Sequence, residues 1–189
     1  PDVVDNLKMT RHIILEYGAQ AMGEQNMYQV SGIVPGVMAQ TGMETLEIVK
    51  GVINETRPDV VIAVDALAAR STKRLNRTIQ ITDTGIIPGS GVGNHRNGLT
   101  KETLGVKVIG IGVPTVVEAG TLCLDLLEEA GSDREGLEPS RQFGQGSAWF
   151  VTPRNIDSEV EVLSKILGLG ISAALHVDIS VEDVENLVG

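Results

Sequence analysis

The run Asp59-Val-Val-Ile-Ala-Val64 constrains this chain more than any other feature. It follows the turn signal Arg57-Pro58, is rich in β-branched side chains and shows almost no polar alternation. A short, continuous apolar run of this kind is expected of a parallel strand covered on both faces. Its carboxyl end delivers Asp65. A strand of that type needs helices packed on its sheet, and the rest of the chain has to supply them.

The flanking patterns do so. Residues 5–22 mix apolar and polar side chains, with Leu7 and Ile14 seven apart and Arg11 and Glu16 between and beyond them, which predicts a helix. Thr41-Gly42-Met43-Glu44 has the spacing of a capping box and predicts a helix start. Leu46, Val49 and Ile53, widened by Ile48 and Val52, form its apolar face until Arg57-Pro58 stops it. Thr78-Ile-Gln-Ile-Thr82 alternates as a half-exposed strand and leads to Asp83. Residues 106–112 read as a third strand and 113–130 as a helix ending at Gly131. Residues 132–146 read as a polar surface connection. Thr152-Pro153 suits the N-cap and first position of a helix whose apolar side carries Val160, Leu163 and Leu167 and continues through Ile171 and Leu175. Ser180 and Asp183 open a short last helix over 180–187. The pattern predicts the α/β class, a sheet flanked by helices.

With 189 residues, 42% of them hydrophobic, the chain is long enough for one α/β domain spanning 1–189 with its own core. Fifteen Lys and Arg against 25 Asp and Glu give a net charge of −10, and aromatic residues make up 3%. That balance argues against direct nucleic-acid binding, which draws on a basic field and, for single strands, on stacking rings. Cys123 is the only cysteine, so one chain can build neither a disulfide framework nor a multi-cysteine zinc site. A reducing, cytoplasmic compartment is the expectation. The most apolar stretch, 106–127, is interrupted by Lys107, Gly110, Gly112, Pro114, Glu118 and Asp125, so no bilayer span is expected, and no signal-peptide pattern opens the sequence.

Several familiar sites fail on spacing. Pro88-Gly-Ser-Gly-Val92 carries Pro88 and Val92 where a nucleophile elbow requires glycines, and the same loop is neither a P-loop nor a dinucleotide fingerprint. The loop itself, residues 84–105, is long and glycine-rich, which fits either a ligand role or a plain surface turn. His12, His95 and His176 are scattered without metal-ligand spacing, and Cys123 reads as a small core residue in an apolar helix. Arg70, Lys73, Arg74 and Arg77 form either a solvated face or a carboxylate-binding group. Asp65 and Asp83 are both delivered by strand ends, where open α/β sheets gather ligands. An acid there also serves as a turn cap, and spacing does not separate the two roles.

Longer strings narrow the choice. Pro58-Asp-Val-Val-Ile-Ala-Val-Asp-Ala-Leu-Ala-Ala-Arg70, Thr78-Ile-Gln-Ile-Thr-Asp-Thr-Gly-Ile86 and Pro88-Gly-Ser-Gly-Val-Gly-Asn94 follow one another. Thr100-Lys-Glu-Thr-Leu-Gly105 and Ile111-Gly-Val-Pro-Thr-Val-Val-Glu-Ala119 come next. Pro35-Gly-Val-Met38 and Thr41-Gly-Met-Glu-Thr45 lie upstream, and Val151-Thr-Pro153 and Ser172-Ala-Ala-Leu-His176 downstream. In this order they resemble the germination proteases, spore endopeptidases that degrade small acid-soluble spore proteins. The resemblance implies a fold similar to that of hydrogenase-maturation proteases and peptide hydrolysis by two aspartates, without a metal or other cofactor. One family aspartate maps onto Asp65. The other belongs to a Thr-Pro-Asp-Ala-Leu-Gly-Pro string, of which Pro1-Asp2 remains, followed directly by Val3-Val-Asp-Asn6, so Asp2 is the matching position. The departure carries the expectation that residues are missing at the N-terminus and around 131–149.

Two neighbouring carboxylates resist ionising together and share a proton, so one can activate water while the other hydrogen-bonds to the scissile carbonyl. The resemblance also implies cleavage after a substrate Glu, which Arg70 or Arg74 could hold, with Asp83 a further substrate-side candidate. It implies a homotetramer, zymogen processing and a place in the spore cytoplasm, with spore proteins as partners and no contact with nucleic acid or membrane. Two rival readings are a metal-recognising protease of the hydrogenase-maturation type and a non-catalytic ligand-binding domain.

Overall fold

The computed structural model describes residues 1–18, 28–90, 96–131 and 149–176. The expected connection over 132–146, the expected helix over 180–187 and His95 lie outside them. In chain order the elements are α1 (Asp2–Asp5), α2 (Arg11–Tyr17), α3 (Met38–Thr41), α4 (Thr45–Thr56), β1 (Val60–Ala69), β2 (Gln80–Thr82), α5 (Lys101–Leu104), β3 (Lys107–Glu118), α6 (Ala119–Glu129), β4 (Phe150–Val151) and α7 (Ile156–Leu175), with a 3₁₀ turn at Thr72–Arg74. They fall into two compact units, Pro1–Pro35 with Asp157–Gly189, and Gly36–Ile156.

In the first unit the expected helix over 5–22 is realised among the described residues only as α2, since α1 ends at Asp5, residues 6–10 are not helical, and 19–22 lie outside the described residues. Asn6 ends α1, its side-chain Nδ2 donating to the Asp2 carbonyl at 2.6 Å, a local bond that competes with helix continuation. Thr10 is fully buried, and its hydroxyl donates to the Tyr28 carbonyl at 2.6 Å and accepts from the Val30 N–H at 2.9 Å. The N–H groups of Thr10 and Arg11 both donate to the Val30 carbonyl. Donors that an unbroken helix would use internally are thus spent on the 28–30 segment. The buried positions of α7, namely Ser164, Leu167, Gly168, Ile171 and Ser172, recur with helical spacing. Ser172 Oγ accepts from the Lys8 N–H at 3.2 Å. A Cβ added at Gly168 would lie 2.5 Å from Asn6 Cβ, so the helix meets residue 6 at backbone distance.

The second unit is a mixed sheet flanked by helices, the α/β class. β1 and β3 run parallel from Val60 opposite Lys107 to Leu67 opposite Pro114, and a bulge then shifts the register to Ala69 opposite Val117. β2 pairs antiparallel with Gly110–Gly112 of β3, and β4 pairs antiparallel with Val117 and Glu118. Because β1 occupies one edge of β3 as far as Val117, both antiparallel strands lie along the other edge. Val49 of α4, Ala63, Leu99, Leu104 and Val108 form the buried core, joined by Leu46, Ile53, Val61, Ile86 and Val106.

Five expectations are corrected here. First, β1 continues to Ala69, so Asp65 lies in mid-strand rather than at a carboxyl end. Covering of both faces is not seen among the described residues, since Val64 remains 39% exposed. Second, β3 does not give way to a helix at Val113. Thr115, Val116 and Val117 are β-branched and prolong the strand, and Pro114, which has no N–H to donate, sits beside the bulge. Third, Thr41 and Gly42 end α3, with Gly42 at φ 69°, while the capping box of α4 is made three residues on by Glu44 and Glu47. The stop at Arg57, in a left-handed conformation before Pro58, is as expected. Fourth, α7 starts at Ile156, and the Thr152 hydroxyl donates to the Thr115 carbonyl at 3.0 Å instead of capping a helix. Cys123 is exposed on α6 rather than in the core. No helix among the described residues is long and apolar enough to cross a membrane.

Candidate active site

Alternation along β1 puts Ala63, Asp65 and Leu67 on one face, beside Gly110, Gly112 and Pro114 of β3 and Gln80 and Thr82 of β2. Here an open groove of about 340 Å3 runs over Gly110 and Gly112, walled by Leu67, Gln80, Thr82 and the loop from Gly85 to Ser90. The glycine floor follows from packing. A Cβ at Gly112 would collide with the Leu67 side chain, and one at Gly110 would come within 2.8 Å of the Gly85 carbonyl oxygen. The loop is tied to the chain beyond it by the Ile86 and Leu99 backbones, which exchange hydrogen bonds of 3.0 and 2.7 Å. Asp65 is half-buried, and its Oδ2 accepts from the Gly89 N–H at 3.1 Å. Asp65 does not itself line the groove, but its strand partner Gly112 forms part of the floor, so the carboxylate is held on a paired strand next to it.

The other expected residues divide around this centre. Asp83 is exposed in the bend after β2, where the Thr82 and Thr84 hydroxyls share a 2.7 Å hydrogen bond. Arg70 is exposed immediately after β1, and Arg74 is exposed at the end of the 3₁₀ turn. Asp2 is exposed in α1 and belongs to the first unit, whereas Asp65 belongs to the second. Sequence reasoning missed Asp125. It is buried on α6, and its Oδ2 accepts from the Thr72 N–H at 2.7 Å, the Thr72 hydroxyl at 2.8 Å and the Ser71 hydroxyl at 3.1 Å. This carboxylate therefore fixes the turn that carries Arg74. An acid next to Leu124, interrupting the apolar stretch of the helix, was the available signal. Gly89 was missed too, because a backbone donor leaves no mark in side-chain patterns.

His176 is 1% exposed at the end of α7, and neither ring nitrogen has a hydrogen-bond partner among the described residues. Burial pushes its imidazole below the ordinary range, the nearby Lys8 backbone opposes this, and the Lys8 charge adds to it. Burial likewise lowers Lys8. Among the described residues no three His, Cys, Asp or Glu side chains gather as metal ligands.

A family model described as germination protease matches residues 1–142. The chain belongs to the germination protease family. The germination protease of Bacillus subtilis (strain 168) is 39% identical over 236 aligned positions, which take in 97% of this chain and 63% of the relative. Those of Bacillus mycoides (strain KBAB4) and Bacillus cereus (strain AH187) are 39% identical over 229 positions, 93% of this chain and 62% of theirs. This chain thus spans less than two thirds of the length of these relatives. The alignment with the Bacillus subtilis protein is longer than the chain itself, so that relative carries residues inside the matched region that have no counterpart here.

Proposed function

We propose that the chain hydrolyses peptide bonds in small acid-soluble spore proteins during germination, with Asp65 and Asp2 as the carboxylate pair. The observation that carries this reading is the half-buried Asp65 carboxylate beside an open groove, in a chain of the germination protease family. The assignment of Asp2 rests on the motif position alone. On this reading the ionised carboxylate takes a proton from water, whose oxygen bonds to the scissile carbonyl carbon. The carbonyl electron pair moves onto its oxygen, which the protonated carboxyl steadies by a hydrogen bond. Collapse breaks the C–N bond, and the leaving nitrogen takes up the proton that water gave. The pair holds one proton before and after the cycle.

The same reading carries a fold similar to that of hydrogenase-maturation proteases, zymogen processing, a homotetramer and a place in the spore core. Arg70 and Arg74 are its candidates for holding the substrate Glu side chain, and Asp83 lies near the groove loop as a weaker one. No specific observation favours the metal-recognising or the non-catalytic reading.

The test is cleavage of a purified small acid-soluble spore protein in the presence of a chelator. Discrete fragments are expected with the wild type, and a loss on the order of 10²-fold or more with Asp65→Asn or Asp2→Asn. Arg70→Ala or Arg74→Ala should raise KM only for sites that follow Glu. Full activity of Asp65→Asn would remove the pair as the catalytic centre.

A further inference from the structure

Asp65 and Gly89 come from different parts of the second unit, and their contact has a conformational condition attached. Residues 87–90 are Ile-Pro-Gly-Ser, and the Ser90 N–H donates to the Ile87 carbonyl at 3.2 Å. Pro88 occupies the second position, and Gly89 the third with φ 72°. These are the marks of a type II turn, in which the third residue adopts a left-handed conformation open to glycine and tolerated by asparagine. A type I turn spans the same four residues, but its central peptide is turned roughly half a revolution about the chain. In this chain the central peptide is Pro88–Gly89, and its N–H is the group donating to Asp65 Oδ2. Turn type therefore decides whether Asp65 has this donor.

We propose that the turn at residues 87–90 is a positioning device for Asp65. Its central N–H occupies Oδ2, and Oδ1, which has no donor among the described residues, takes the proton from the attacking water. With Oδ2 engaged by the turn, the proposal gives Asp65 the role of base in the pair. The water oxygen then bonds to the scissile carbon while its proton passes to Oδ1. The inference rests on the aspartate-pair reading above, and Gly89 is a positioning residue, not a catalytic one.

Two substitutions separate this from a merely structural turn, assayed on a purified small acid-soluble spore protein. Gly89→Ala disfavours the left-handed conformation, tips the turn toward type I and takes the N–H away. A kcat lowered on the order of 10²-fold is expected, with KM within about twofold of wild type. Gly89→Asn is bulkier but keeps the left-handed conformation, so its kcat should stay within about fivefold of wild type. Thermal unfolding checks that both variants are folded. Wild-type kcat in Gly89→Ala, a loss confined to KM, or a lower kcat for Asn than for Ala would overturn the inference. An inactive Gly89→Asn overturns it however Gly89→Ala folds. Asp65→Asn separates the two levels. If it is inactive while Gly89→Ala turns over normally, only the positioning role fails, and if it is active, the pair reading fails first.

Discussion

A single buried oxygen does much to shape the surface next to the candidate site. Asp125 Oδ2 gathers three donors from Ser71 and Thr72, so truncating it strands two hydroxyls and a backbone N–H in a half-buried place. Asp125→Ala is expected to cost about 2–3 kcal/mol in urea unfolding. Asp125→Asn keeps the size and one acceptor and should cost less. At this scale the sequence was informative where a side chain breaks a pattern. Asp65 stood out because it closes an apolar run, and the structure places it next to a groove. Asp125 breaks a pattern too, but an acid in a helix is ordinary until its burial is known. Gly89 acts through its backbone, and only three-dimensional structure brings residue 89 to residue 65.

Helix α7 carries Gly168 and Gly170, two positions apart, and they answer to different surroundings. A Cβ at Gly168 meets the Asn6 backbone, whereas one at Gly170 meets nothing within 4 Å. Gly168→Ala should therefore destabilise the chain by about 1–3 kcal/mol, since the obstacle is main chain and cannot swing aside. Gly170→Ala should stabilise it by about 0.5–1 kcal/mol, because a helix interior disfavours glycine. Paired thermal or urea unfolding measures both signs in one experiment. Element types were mostly legible from periodicity: α4 and α7 keep their apolar spacing, and β1 its β-branched run. Boundaries were not, and each for a local reason. Thr10 diverts helix donors to residues 28–30, Glu44, paired with Glu47, takes the capping role in place of Thr41, and the β-branched residues after Pro114 outlast the glycines before it.

For the chain as a whole, acidity is the condition that its buried histidine makes important. Burial lowers the folded-state pKa of His176 beneath the ordinary 6.5, so below that pH the unfolded chain binds more protons than the folded one. Stability is then fully present above about pH 6.5 and falls as the pH drops below it. Urea unfolding at pH 7.5 and at pH 5.5 should show that loss in wild type, and a smaller one in His176→Leu. The α/β class was readable from the order of elements, and the family from strings that run along most of the chain. The mixed sheet was not readable, because the direction of β2 against β3 depends on how the loop after Asp83 turns.

The parallel register of β1 and β3 bears on how the second unit comes to exist. Val60 and Lys107 must meet before any rung of that ladder forms, and everything between them has to be closed into a loop first. β1 has no other partner among the described strands, and the antiparallel partners of β3, β2 and β4, are themselves not joined to it by short hairpins. Assembly of the groove that carries Asp65 is therefore governed by a long-range encounter, placing this unit among slow-folding topologies whatever its final stability.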